Sequence, residues 1–98
     1  MLKIDPLQEF DIIGEDLYSY ILTRDNNLCQ LCGKGGTEIH HIEARGHGGK
    51  NFARNLILLC RICHTGHGGI HGTLGGSVKE LLKERVIKNE EKLKEKLI

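Results

Sequence analysis

A small α+β fold is what this chain predicts: two short strands paired as a hairpin, helices at both ends, and a four-cysteine metal site tying them together. Three observations carry that reading. The apolar residues recur at helical spacing near both termini and in short continuous runs between them. All four cysteines and all six histidines fall between Cys29 and His71. Finally, 98 residues with no Trp and only four Phe and Tyr leave a modest Leu/Ile core, at a size where a disulfide or a metal often supplies the missing stability.

The elements follow in order. Leu7, Phe10, Ile13, Leu17 and Ile21 recur at spacings of three and four, predicting an amphipathic helix within residues 7–24 that covers the body, with Asp11, Glu15 and Asp16 suited to its early turns. Gly14 blurs where that helix starts. Arg24 to Cys29 reads as a polar turn and Gly33 to Gly36 as another. Glu38 to Ile42 and Leu56 to Cys60 are the strands, short and bounded by Gly-rich or polar sequence. Between them Glu43 to Asn55 forms a long loop with Gly46, Gly48 and Gly49 beside Arg45, Lys50 and Arg54, a composition suited to close approach to a phosphate backbone.

After Cys63 at most one or two helical turns fit before Thr65 to Gly69 interrupts. Ser77-Val-Lys-Glu80 is a capping-box pattern that opens a helix over residues 78–97. Val78, Leu81, Leu82 and Val86 form its apolar stripe, whereas Lys88 to Lys92 is entirely polar. The first half is expected to pack on the body and the second to be solvated or to meet a partner. No internal repeat is visible, and the chain reads as one domain over residues 1–98.

The formal net charge of +1 divides unevenly, with −4 over residues 1–23, +3 over 24–72 and +2 over 73–98. Positive charge thus accompanies the Cys/His segment and the tail, as a phosphate-handling surface requires. Met1 to Pro6 lacks a signal-peptide apolar region, and the longest uncharged apolar run, Leu56 to Cys60, is too short to span a bilayer. The expectation is a soluble, intracellular protein of the cytoplasm with no membrane partner. In that compartment thiols stay reduced, so four cysteines favour a metal over disulfides.

Cys29-x-x-Cys32 and Cys60-x-x-Cys63 stand 27 residues apart, and two such pairs complete the tetrahedron of a closed, structural Zn2+ site. Losing it should unfold the domain. CxxC is also the spacing of thiol redox enzymes, but that motif opens a helix after a strand, and two copies flanking a run of histidines fit it poorly.

The same residues resemble a known family. Arg24-Asp25, Cys29-Gln-Leu-Cys32-Gly33, Glu38-Ile-His-His-Ile42, Gly48-Gly49, Asn55-Leu56 and Leu58-Leu-Cys-Arg-Ile-Cys-His64, in that order, resemble the HNH endonucleases of the four-cysteine zinc type over residues 24–71. The resemblance implies the ββα-metal fold, a hairpin plus a helix around one catalytic divalent cation such as Mg2+ or Mn2+. It implies hydrolysis of DNA, expected to be double-stranded, leaving 5'-phosphate and 3'-hydroxyl ends.

Phosphodiester cleavage needs a base for water and a cation for the charge that builds on the phosphate. Adjacent strand residues point to opposite faces, so His40 and His41 cannot serve the same atom in the same way. By the resemblance His40 and His64 are metal ligands and His41 is the general base, a role suited to an imidazole, whose ordinary pKa of about 6.5 leaves it mostly neutral near pH 7. By the same resemblance Asn55 ties the long loop and fixes the base-bearing strand. Arg45 either contacts the scissile phosphate or is a solvated loop arginine. Where many members carry a second His four residues after the one matching His64, this chain has Gly68, with His67 and His71 nearby; either could be a ligand or a substrate contact. His47 has no assigned role.

The alternative from another class is a zinc-stabilised nucleic-acid-binding module without catalysis. The family's small lone members occur in phage and bacterial genomes, and a homodimer or larger assembly stays open.

Overall fold

The computed structural model describes residues 4–43, 50–65 and 78–96. They form a small α+β fold in the order α1 (Glu15–Arg24), β1 (Glu38–His41), a 3-10 turn (Ala53–Asn55), β2 (Leu56–Leu59), α2 (Arg61–Thr65) and α3 (Lys79–Lys96). The strands pair antiparallel, with Glu38 opposite Leu59 and His41 opposite Leu56.

β2 is the centre of the molecule. Its four residues, Leu56, Ile57, Leu58 and Leu59, are all 0 % exposed, because both faces of this strand are covered. Side chains alternate along a strand, and the two sets enter different cores. Leu56 and Leu58 pack with Leu17, Tyr20 and Ile21 of α1, Ala53 of the 3-10 turn and Leu93 of α3. Ile57 and Leu59 pack with Cys29, Ile42 and the α3 residues Leu82 and Val86. At roughly 1.5–3 kcal/mol per fully buried aliphatic side chain, these four residues anchor both cores. The apolar run in the sequence is therefore a strand buried on both sides rather than one side of a solvated hairpin.

The N-terminal helix is shorter than the periodicity predicts. It starts at Glu15, after an extended Gly14, and keeps Glu15 and Asp16 in its first turn and Arg24 in its last, matching the helix dipole. Residues before it are drawn into other bonds. Asp5 Oδ1 accepts from the Leu7 amide, and the Phe10 amide donates to the Asn51 carbonyl at 3.0 Å in an isolated bridge. Phe10 and Ile13 still reach the core from this non-helical backbone, while Leu7 is 60 % exposed.

α3 also differs from expectation. Leu82 and Val86 are buried, but Leu81 of the predicted stripe is exposed, and the polar second half packs on the body. Asn89 donates to Asp25 Oδ1 and to Gln30 Oε1, each at 2.9 Å. Glu90, 5 % exposed, pairs with Arg54 at 2.9 Å. Hydrogen bonds bury this stretch where apolar side chains do not. Ser77 of the expected capping box, and Leu97, lie outside the described residues.

Behind this lies a buried polar node that joins four elements. α1 ends in two left-handed residues, Asn26 (φ 57) and Asn27 (φ 59), a conformation asparagine tolerates. The turn brings Arg24 and Asp25 side by side, both side chains 0 % exposed. The guanidinium donates to both Asp25 oxygens at 2.8 and 2.9 Å and to the carbonyls of Ala53 and Leu56. Asp25 in turn accepts from the Leu58 amide at 3.0 Å and from Asn89. Asp25→Ala is expected to cost about 3–5 kcal/mol in urea unfolding of the zinc-loaded protein, because it strands a buried guanidinium. A cost below ~1 kcal/mol would mean that water reaches Arg24.

Candidate active site and metal centre

The cysteine site is built from two tight turns brought together by β2. Cys60 directly follows the strand, and Cys63 lies one turn on in α2, its amide donating to Cys60 Sγ at 3.4 Å. On the other side the Gly33 amide donates to the Cys29 carbonyl at 2.9 Å, and Gly33 takes φ 80, which glycine adopts without strain. Gly36 permits the approach of the two halves, since a Cβ there would lie 2.6 Å from Leu58 Cγ. The four sulfurs of Cys29, Cys32, Cys60 and Cys63 lie within 4.8 Å of one another. Cys32 and Cys60 are 3.7 Å apart; tetrahedral sulfurs at ~2.3 Å from one Zn2+ stand about 3.8 Å apart. The four cysteines are thus positioned to bind a metal ion.

The electrostatics point the same way. Burial pushes the Cys29 thiol up, but backbone amides of Cys32, Cys60 and Leu31 stabilise its thiolate and bring it down to about 7. Burial and the thiols of Cys60, Cys29 and Cys32 push Cys63 well above the ordinary thiol range. Crowded sulfurs resist accumulating negative charge without a cation among them.

The histidines occupy the opposite edge of the same junction. Cys63 and His64 are consecutive on α2, so their side chains diverge by about 100°. Cys63 joins the sulfurs, whereas His64 faces β1. Its ring meets that of His40 edge-on, with centroids 5.1 Å apart, and its Nδ1 pairs with Glu38 Oε1 at 2.9 Å. Glu38 and His40 are two apart on β1 and share a face. His41 lies on the other face, half-buried, with Nε2 at 2.8 Å from Asn51 Oδ1.

Asn55 sits where the 3-10 turn enters β2, and its carboxamide spans the long loop. Oδ1 accepts from the Glu43 amide at 2.8 Å, while Nδ2 donates to the carbonyls of Glu43 and Lys50 at 3.2 and 3.0 Å. The Glu43 carboxylate pairs with Lys83 and Lys79 of α3, which hold it below the usual carboxylate range. The loop base is therefore fixed from both the strand side and the helix side.

Two neighbours of these histidines escape the motif reading. Glu38 was visible in principle, two residues before His40 on one strand face. Asn51 carries no such signal, because only the folded loop brings it to His41. Arg45, His47, His67 and His71 lie outside the described residues.

Residues 29–69 match the HNH endonuclease family model. That segment resembles an HNH domain. The match contains every described cysteine and histidine above, and Asn55, but begins after the Arg24–Asp25 node. No curated protein matches the chain. The match of this segment to the HNH family model supports a nuclease assignment with a nucleic-acid substrate. Among the described residues, no helix is long and apolar enough to cross a membrane.

Proposed function

We propose that residues 1–98 act as one metal-dependent HNH endonuclease or nicking domain that hydrolyses DNA phosphodiester bonds. The observation that carries this reading is the His40–His64 ring pair at 5.1 Å, with His41 next to His40 on β1. A structural scaffold needs the four cysteines; it has no use for this second cluster, which disfavours a purely binding module.

In this reading Cys29, Cys32, Cys60 and Cys63 hold a structural Zn2+. His40 and His64 hold the second cation. Two imidazoles meeting one ion at ~2.1 Å and ordinary ligand angles place their centroids about 4.5–5.3 Å apart, which includes the observed spacing. Mg2+ or Mn2+ held by His40 and His64 would supply neutralisation of charge on the phosphate and on the leaving 3'-oxygen. Glu38 on His64 Nδ1 is the type of carboxylate partner that orients a metal-bound imidazole, directing Nε2 to the ion. His41 accepts the proton of the attacking water, and Asn55 keeps its strand and the loop in register. Arg45 is assigned to the scissile phosphate. A 5'-phosphate and a 3'-hydroxyl are the products.

The test is conversion of supercoiled plasmid to open circle by zinc-loaded protein across a panel of Mg2+, Mn2+, Ca2+ and no added metal. Cutting is expected with Mg2+ or Mn2+ and not without. Plasmid and RNA substrates both left intact with every ion, while gel shift shows binding, would replace this reading with the binding module.

A further inference from the structure

We propose that Asn51 is a positioning residue for the reaction: its carboxamide holds His41 in the tautomer protonated at Nε2, leaving Nδ1 as the proton acceptor. The inference rests on the hydrolase reading for the purpose of the tautomer, though not for the tautomer itself.

The direction of the Asn51 amide decides the tautomer of His41. Asn51 Nδ2 lies 3.1 Å from the Asp11 carbonyl oxygen, an atom that only accepts, so the amino end must face it. Oδ1 then faces His41 Nε2 at 2.8 Å. A carboxamide oxygen only accepts as well, so the ring nitrogen must carry the hydrogen. A neutral imidazole has one N–H, and the other nitrogen keeps its lone pair. Reversing the amide would set Oδ1 against the Asp11 carbonyl, two acceptors face to face, with Asn51 only 4 % exposed.

The backbone of Asn51 is fixed by the same neighbours. Its carbonyl accepts from the Phe10 amide at 3.0 Å in the isolated bridge that ends the N-terminal segment. Two consecutive residues, Phe10 and Asp11, thus place the backbone and aim the side chain that sets the imidazole. The stretch before α1, which looks like mere cover in the sequence, supports the base.

The proposal is tested by imidazole 15N–1H correlation at about pH 8 on zinc-loaded protein, with the His41 signals assigned through His41→Gln, alongside plasmid-nicking kinetics. Wild type is expected to show a persistent Nε2–H and an unprotonated Nδ1 on His41. Asn51→Leu, close in shape but unable to accept, should lose that persistent Nε2–H. It should lower kcat by about 10–100-fold, the range for removing a partner that orients such an imidazole, with KM and zinc content within about twofold. Asn51→Asp keeps the acceptor toward His41 but turns its second oxygen to the Asp11 carbonyl; it should keep the Nε2–H, with a rate between those of Asn51→Leu and wild type. Wild-type His41 protonated at Nδ1 overturns the proposal, and so does Asn51→Leu retaining both the Nε2–H and wild-type kcat. If Asn51→Leu fails to fold, the wild-type tautomer and Asn51→Asp decide. Should the wild type show the Nε2–H, and Asn51→Leu lose it, while no nucleic acid is ever cut, the hydrolase reading falls and the Asn51–His41 assignment stands.

Discussion

His41→Ala is expected to reduce plasmid nicking by about 10²–10⁴-fold, the range for removing a positioned general base, while the protein keeps its zinc and its unfolding midpoint. The expectation comes from where the residue sits. His41 pairs with Leu56 at the end of the hairpin, is half-buried rather than packed in either core, and among the described residues its side chain bonds to Asn51. Truncating it removes no atom from the β2 cores and leaves no charge unpaired, and water entering at this half-buried position can take the Asn51 oxygen that the ring releases, so its cost to stability should stay at about 1 kcal/mol. His40→Ala is a useful contrast. His40 is buried against His64, so its loss should affect binding of the second cation as well as the rate. If His41→Ala nicks as fast as wild type at saturating Mn2+, the base is a different group.

The ease of reading this chain from its sequence depended on how far each signal reaches. The cysteine site was legible because each pair is local, a turn of four residues, and only the joining of two turns needed the fold. β2 was legible because four apolar residues in a row, Leu56 to Leu59, require burial whatever surrounds them. The second half of α3 was not legible. Asn89 is held by Asp25 and Gln30, 64 and 59 positions away, and Glu90 by Arg54, 36 away. Periodicity counts apolar side chains and cannot see burial achieved by distant hydrogen bonds. The same limit displaced the start of α1, since Phe10 keeps its helical spacing while its amide bonds to Asn51. Among the candidate site residues, His40, His41 and His64 came from motif order, and the structure adds what order cannot give: the rings of His40 and His64 that meet, and the neighbours Glu38 and Asn51 that engage His64 and His41.

Removing the metal from the four cysteines is expected to have the opposite signature to His41→Ala, with the fold lost and catalysis lost only as a consequence. A structural Zn2+ in such a site contributes roughly 10–16 kcal/mol, comparable to the whole stability of a domain, about 5–15 kcal/mol. The site is also not peripheral. Cys29 is buried in the core that holds Ile57, Leu59, Leu82 and Val86, and Cys60 and Cys63 pack against it. Loosening the sulfurs therefore exposes one whole face of β2 and releases the first half of α3. Chelation, or Cys60→Ser, should abolish the cooperative thermal transition, and re-added Zn2+ should restore it in the chelated protein but not in the variant. Thiols must lose protons to bind zinc, so acid should weaken the site and lower the chelator concentration needed. A cooperative transition that persists at one zinc-free equivalent of protein would show that the two cores are sufficient alone. The paired outcomes then separate the two centres: Cys60→Ser unfolds and cannot cut, whereas His41→Ala folds and cannot cut. On the proposed function that separation follows from Cys63 and His64, adjacent residues of one short helix that face the four sulfurs and the His40 ring in turn.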